Sequence, residues 1–315
     1  MILGGDIGGT KVLLGVAENG ALIVERRYAS ADFLNFTDLL AAFFTETQIN
    51  PAQVHGGCLA LAGPIADDGC SARLTNLPWI IDSKNLSRRF GIPTLRLVND
   101  FAAAALGAVT TPLDQRITLQ AGQPLPDAPC LVVGAGTGLG MAIVLPQVYP
   151  SPGWRILPGE GGHVAFAPAD EEQLKLWQFL HARHGRVNWE RVVSGPGITA
   201  IHECLTGEIL PPEEISSLAL ATTHHAAHRS LELFLAAYGA FAGDMALACL
   251  ARGGVFLAGG IASKLLPLLP GSPFLTAFNA KAEHAAIAAK MPIYTLIDPA
   301  LGLNGALRMA QQSGA

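Results

Sequence analysis

Twice in this chain a short apolar segment runs into a glycine-rich turn and directly out into a second apolar segment. The first unit is Ile2-Leu3, the turn Gly4-Gly5-Asp6-Ile7-Gly8-Gly9-Thr10 and the apolar run at residues 12–17. The second is the apolar run at 130–133, the turn Gly134-Ala135-Gly136-Thr137-Gly138-Leu139-Gly140 and the apolar run at 141–145. The segment on the far side of the glycines sets the constraint. A dinucleotide-binding loop leads from a strand into a helix. Here the segment after the first turn is short and apolar with β-branched residues, and it ends at Glu18-Asn19-Gly20, a good hairpin turn. Each glycine turn therefore joins two antiparallel strands, and residues 21–28 are expected to add a third. The units begin 130 residues apart, Gly4 to Gly134. That spacing predicts two related halves facing each other.

The rest of the chain reads as alternating strands and helices. A helix is expected at 38–46 and a buried strand at 57–62. Asp82 is a suitable N-cap for a helix over 83–90 that Gly91 stops. A buried strand at 94–98 ends on Asn99-Asp100, with an alanine-rich helix at 101–107 behind it. Polar residues at the carboxyl end of a strand in an α/β fold are where ligands are usually met. The 120–129 segment is a proline-rich loop, and a third cluster, GGVFLAGGI at 253–261, is a short strand running into a turn and then a helix. A last helix is expected at 304–312. With 315 residues the chain exceeds the common domain size of about 100–150 residues, which favours two domains.

Composition narrows the partners. The formal net charge of −5 argues against nucleic acid or an anionic membrane surface. The five cysteines are scattered, with no CxxC pair, so neither a disulfide framework nor a cysteine zinc site is expected. The N-terminus lacks the basic leader and cleavage site of a secretion signal, and the apolar stretch at 231–250 carries Glu232 and Asp244. The expectation is a cytoplasmic protein without a membrane span.

A phosphate chain needs backbone N–H groups with no Cβ in the way, and glycine turns supply both. Gly8, Gly9, Gly136 and Gly138 are the expected cradle, Thr10 and Thr137 can add hydroxyl donors, and Lys11 can add charge. Asp6 cannot bind phosphate itself. An acidic group beside such a cradle makes sense with Mg²⁺ between them, directly or through water. No GxxxxGK[ST] motif is present, so this is not a P-loop.

Paired hairpin phosphate loops resemble the sugar kinase, actin and heat-shock ATPase superfamily. Within it, GDIGGTK, LVNDF, GAGTGLG, LPGEGGH, VVSGPG and GGVFLAGGI occur in the order of the bacterial glucokinase family, from Gly4 to about Gly305. The resemblance implies an α/β, two-domain actin-like/ribonuclease-H-like ATPase fold with a cleft between the domains. It places a small domain at 1–107 plus 300–315 and a large one at 108–299. It implies ATP and Mg²⁺ as cofactors, glucose or a related hexose as acceptor, phosphorylation at the 6-hydroxyl, and a homodimer. On this resemblance Asp100 is the catalytic base, with an ordinary carboxylate pKa sufficing. Asn99, Asp100, Glu160, His163 and Glu190 hold the sugar, and ATP lies over the glycine loops with its adenosine near Gly259-Gly260. The segment directly after GEGGH, VAFAPADEEQLKLWQFL, contains no cysteine, unlike the zinc-binding segment of the related ROK group, which favours the non-zinc branch; Lys11 after GGT is the one ROK-like feature.

Two other readings stay open: a kinase for another hexose or an amino sugar, and a sugar-responsive regulator on the same fold. Regulators of that type carry a DNA-binding segment ahead of the first glycine loop, which here begins at residue 4, and their catalytic aspartate is missing, whereas Asp100 is present. The remaining features read as structural: His224 and His228 on one helix face, His181 and His184 as solvated side chains, Ser194 as a helix cap. Asn76, in LTNLPW, is a weaker sugar contact.

Overall fold

The computed structural model describes residues 1–75, 77–148, 153–221 and 224–312. The expected contact at Asn76 lies outside the described residues. The chain divides into two compact units, Met1–Thr111 with Asp298–Ala315, and Pro112–Ile297. In chain order the first contains β1 (Ile2–Ile7), β2 (Lys11–Glu18), β3 (Ala21–Ala29), α1 (Phe36–Thr47), β4 (Gly56–Leu61), the ribbon β5 (Ser71–Arg73) and β6 (Ile80–Asp82), α2 (Ser83–Phe90), β7 (Leu95–Asn99) and α3 (Asp100–Thr110). The second contains β8 (Arg116–Gln120), β9 (Cys130–Ala135), β10 (Leu139–Gln147), β11 (Gly153–Gly159), α4 (Glu171–His184), α5 (Gly195–Thr206), α6 (Pro212–Leu220) and α7 (His225–Cys249). It continues with β12 (Gly254–Ala258), α8 (Gly260–Lys264), α9 (Pro273–Asn279), α10 (Ala285–Ala288) and β13 (Ile293–Leu296), and α11 (Leu301–Gln312) belongs to the first unit.

The two main sheets repeat one plan. The first has strand order β3-β2-β1-β4-β7 and the second β11-β10-β9-β12-β13-β8. In both, the first three strands form an antiparallel meander and the next two add in parallel. Only β8, an antiparallel edge strand on β13, has no counterpart. The duplicated glycine units are thus equivalent positions, β1–β2 and β9–β10. Each unit has its own core, built around Leu3, Leu14, Phe43 and Leu59 in the first and Leu131, Phe234, Tyr238 and Phe274 in the second.

Several local expectations are met for the stated reason. Asp82 Oδ1 accepts from Asn85 N at 2.9 Å, and Gly91 ends α2 in the left-handed region at φ +69°. Others need correction. The glycine turns are shorter than the composition suggests: Gly4 and Gly5 lie in β1, and Gly134 and Ala135 in β9. Gly4 is there for space, since a Cβ would sit 2.6 Å from Leu307 Cγ of α11. Gly107 does not end α3 but lies within it, because a Cβ would overlap the Leu301 carbonyl. A Cβ on Gly305 would likewise overlap the Ala103 carbonyl, so the two glycines let α3 and α11 cross at backbone distance. The apolar helix α7 is long enough to cross a membrane, but it packs against α5, α6 and α9, and 67% of its apolar window is buried.

Candidate functional site

In the first unit, β1, β4 and β7 run parallel, so their carboxyl ends share one sheet edge. The turn after β1 is held by Gly8 N donating to Lys11 O at 3.0 Å. The buried Ser30 clamps it from the side: its Oγ donates to Gly8 O at 3.2 Å and its N–H to Thr10 O at 3.1 Å. Thr10 and Lys11 are exposed. Asn99 is the N-cap of α3, its Oδ1 accepting from Phe101 N at 3.0 Å and Ala102 N at 3.2 Å. Its amide oxygen is therefore occupied, and its Nδ2 remains as a donor.

Asp100, the first residue of α3, accepts from Phe101 N at 2.8 Å. Burial raises its pKa, and that hydrogen bond opposes the rise, so it is not the ordinary carboxylate expected from sequence. Asp6 is pushed up to about 6, first by burial and second by the negative charge of Asp100. Among the described residues the Asp6 carboxylate accepts no hydrogen bond. It faces Gly302 of α11, where a Cβ would overlap it. This glycine is a residue that sequence reasoning missed. Its signal is the Gly302-x-x-Gly305 spacing, which marks one close-packed helix face.

In the second unit, the turn between β9 and β10 is closed by Gly136 N donating to Gly138 O at 2.8 Å, and Gly195 N ties it to α5 by donating to Gly136 O at 2.8 Å. Gly259 leaves β12 at φ +87°, and a Cβ there would lie 2.7 Å from the Ala135 carbonyl. Thr137, Pro196, Ser216, Gly260 and Ile261 line a cavity of about 260 Å³ between this turn, the start of α5, α6 and α8. Ser194 caps α5 through Gly197 N at 3.1 Å and donates to Glu190 O at 2.7 Å, the structural role expected of it.

The GEGGH motif packs against β10 just beyond this turn. Gly161 and Gly162 are buried against Met141 and Leu139, with no room for a Cβ at either. Glu160 and His163 are exposed, with Glu160 Oε2 3.8 Å from His163 Nε2. Glu190 sits in a 3-10 turn (Trp189–Arg191), and its Oε2 accepts from Leu139 N at 2.9 Å. A Cβ on Gly138 would lie 2.6 Å from that oxygen, so Gly138 is glycine to admit the carboxylate. Asn188, which sequence reasoning missed, holds His163 Nδ1 at 3.0 Å through its Nδ2. The expected residues thus form one set per unit: Asp6, Gly8, Gly9, Thr10, Lys11, Asn99 and Asp100 in the first, and Gly136, Thr137, Gly138, Glu160, His163, Glu190, Gly259 and Gly260 in the second.

The other histidines are placed elsewhere. His224 does not share a helix face with His228 but caps α7, its Nδ1 accepting from Ala227 N at 3.1 Å. His181 stacks on Trp177. Among the described residues no group of three or more His, Cys, Asp or Glu side chains is arranged to hold a metal ion.

The sequence model described as Glucokinase matches residues 3–313. The chain is 36% identical over 339 aligned positions to a glucokinase of Nostoc sp. (strain PCC 7120), covering 97% of each. The crystal structure of a glucokinase from an Antarctic psychrotroph superposes with a TM-score of 0.87 at 30% identity, over 99% of this chain and 98% of that one. A ROK family glucokinase from Streptomyces griseus, solved with glucose and AMPPNP, superposes at 0.65 with 20% identity over 99% of both chains, a likeness of fold. The repeated five-strand plan is that of the actin-like two-domain sugar kinases, and with a match running from residue 3 to residue 313 this chain belongs to the glucokinase family.

Proposed function

We propose that the protein transfers the γ-phosphoryl group of ATP to the 6-hydroxyl of glucose, with Asp100 as general base and in-line displacement. The observation that carries this reading is the carboxylate pair at the carboxyl edge of the first sheet, Asp6 and Asp100, beside the Gly8-Gly9-Thr10 turn, where the Gly8 N–H is taken by Lys11 O, so the backbone donors left for phosphate would be those beyond Gly8. Family membership supplies the reaction class and the substrate pair. Attack on a γ-phosphate needs a hydroxyl held in line and a place for its proton as the new bond forms. Burial gives Asp100 a raised proton affinity, while the Phe101 N–H fixes one carboxylate oxygen. The other oxygen is left to accept the proton. Asn99 Nδ2 is suited to orient the same hydroxyl as a donor.

Asp6 fits a magnesium role. It is a carboxylate without a hydrogen-bond partner among the described residues, its charge is penalised by burial, and Gly302 leaves it room. Mg²⁺ takes oxygen ligands, commonly one or two carboxylates with waters and phosphate oxygens, so Asp6 would hold the ion directly or through water. The ion would supply neutralisation of the charge on the transferred phosphoryl group. On this reading the glycine turns at 8–10 and 136–138 cradle the phosphates. The cavity beside Thr137, Ser216 and Gly260 takes the adenosine, and Glu160, His163 and Glu190 take the remaining sugar hydroxyls.

A coupled assay with ATP and Mg²⁺ across a panel of hexoses and amino sugars, including wells without sugar, tests the reaction. Glucose is expected to give the highest kcat/KM, and preference for another sugar would change the acceptor. Asp100→Ala is expected to lower kcat by about 10²–10⁴-fold with glucose binding largely retained. Substantial turnover in that variant would remove Asp100 from the base role.

A further inference from the structure

We propose that Asn188 is a positioning residue that holds the His163 ring as the neutral tautomer protonated on Nε2, making the ring a hydrogen-bond donor to the sugar. This rests on the assignment of His163 to the acceptor site above.

The placement of Asn188 is set by backbone pairing. Phe166 N donates to Val187 O at 3.1 Å and Trp189 N donates to Val164 O at 3.0 Å, so Ala165 and Asn188 form an isolated antiparallel bridge. The Phe166 and Trp189 rings meet edge to face at 4.9 Å and close the clasp. His163 and Asn188 are thereby held side by side.

The amide then has a single orientation. Arg191 N–H donates to Asn188 Oδ1 at 3.1 Å, and a backbone N–H can only donate, so the oxygen must face it. The Nδ2 group, which has no acceptor capacity, is left 3.0 Å from His163 Nδ1. Two donors cannot share one hydrogen bond. Nδ1 must present its lone pair, and in the neutral ring the proton then sits on Nε2.

Nε2 points toward Glu160 Oε2 at 3.8 Å, too far for a direct hydrogen bond. A hydroxyl oxygen near both atoms can accept from Nε2–H and donate to the carboxylate. The pair therefore reads a hydroxyl group by both of its capacities. Beside the ring lies the Glu160 carboxylate, and the Arg186 guanidinium donates to the His163 backbone carbonyl at 3.4 Å.

Asp and Ser are both good N-caps, so Asn188→Asp and Asn188→Ser preserve the cap on the Trp189–Arg191 turn while changing what Nδ1 meets. The readout is a two-bond ¹H–¹⁵N correlation spectrum of histidine-labelled full-length protein at pH 8 without sugar, with His163 assigned by His163→Gln. Wild type is expected to show an unprotonated Nδ1 and a protonated Nε2. Asn188→Asp is expected to move the proton to Nδ1, and Asn188→Ser to give a mixture. In kinetics, Asn188→Asp should raise the KM for glucose about 3- to 10-fold with kcat little changed. An Nδ1–H ring in wild type, unchanged tautomers in both variants, or an unaltered KM in Asn188→Asp would overturn the proposal. The spectra need neither sugar nor ATP, so failure of the tautomer assignment is distinguishable from failure of the glucose reading.

Discussion

Replacing Asp6 by Asn should stabilise the unliganded protein, and by an amount that grows with pH. Burial and the charge of Asp100 lift the Asp6 pKa from its ordinary value of 3.8 to about 6. A folded state with the higher pKa binds the proton more tightly than the unfolded chain, so the favourable contribution of Asp6 is complete below pH 3.8. It is lost as pH rises through 6. At about 1.4 kcal/mol per pKa unit, the raised pKa costs about 2 kcal/mol at pH 5, where the folded carboxyl is still mostly protonated, and about 3 kcal/mol at pH 8, where it is ionised. Asn has the same shape and does not ionise, so it fits beside Gly302 and avoids that cost. Urea titrations followed by circular dichroism at pH 5 and pH 8 measure the difference, which should widen by about 1 kcal/mol between the two. Added Mg²⁺ should stabilise wild type and leave Asp6→Asn unmoved, because an ion that binds only the folded site shifts its stability by mass action. Equal stability of the two proteins at pH 8, or a difference that narrows as pH rises, would refute the account of Asp6 as a carboxylate held at a cost.

Three more outcomes are expected from particular contacts. Glu160→Gln should weaken glucose binding about tenfold in calorimetry, and unchanged affinity would argue against direct contact with the sugar. Gly305→Ala should force α3 and α11 apart at the Ala103 carbonyl and lower stability by about 2 kcal/mol in thermal unfolding; an unaltered midpoint would mean that the crossing is slack. Ser216→Phe projects a ring into the cavity of the second unit, and Ser216 Oγ otherwise only donates to Pro212 O within its own helix. The KM for ATP should rise about tenfold or more with glucose affinity unchanged, and an unaltered KM would move the adenosine elsewhere.

Features governed by a few consecutive residues were legible in the sequence. The helix between Asp82 and Gly91, the Ser194 cap and the repeated hairpins all arise from local backbone chemistry, and the hairpins sufficed to separate this fold from a dinucleotide-binding one. Glycine was the ambiguous letter. Gly8 and Gly9 belong to a turn, whereas Gly4, Gly107 and Gly302 make room for another element, and one sequence gives no sign of which neighbour will arrive. The strands β8 and β13 escaped notice because their pairing is fixed by partners far along the chain, and β11, although it pairs with the neighbouring β10, mixes apolar and polar residues with Gly and Pro. Asn188 escaped for a related reason. Its neighbour His163 is 25 residues away, and only the backbone clasp joins them.

The crossing of α3 with α11 has a consequence for how the protein is made. Residues 1–111 leave the ribosome first, yet their sheet lacks the helix that covers Gly4 and abuts Asp6 until residues 301–312 have been translated. The contiguous segment 112–297 is under no such delay and can complete its core beforehand. The half that starts synthesis is therefore the half that finishes folding, and Asp6 meets Gly302 only when the tail docks.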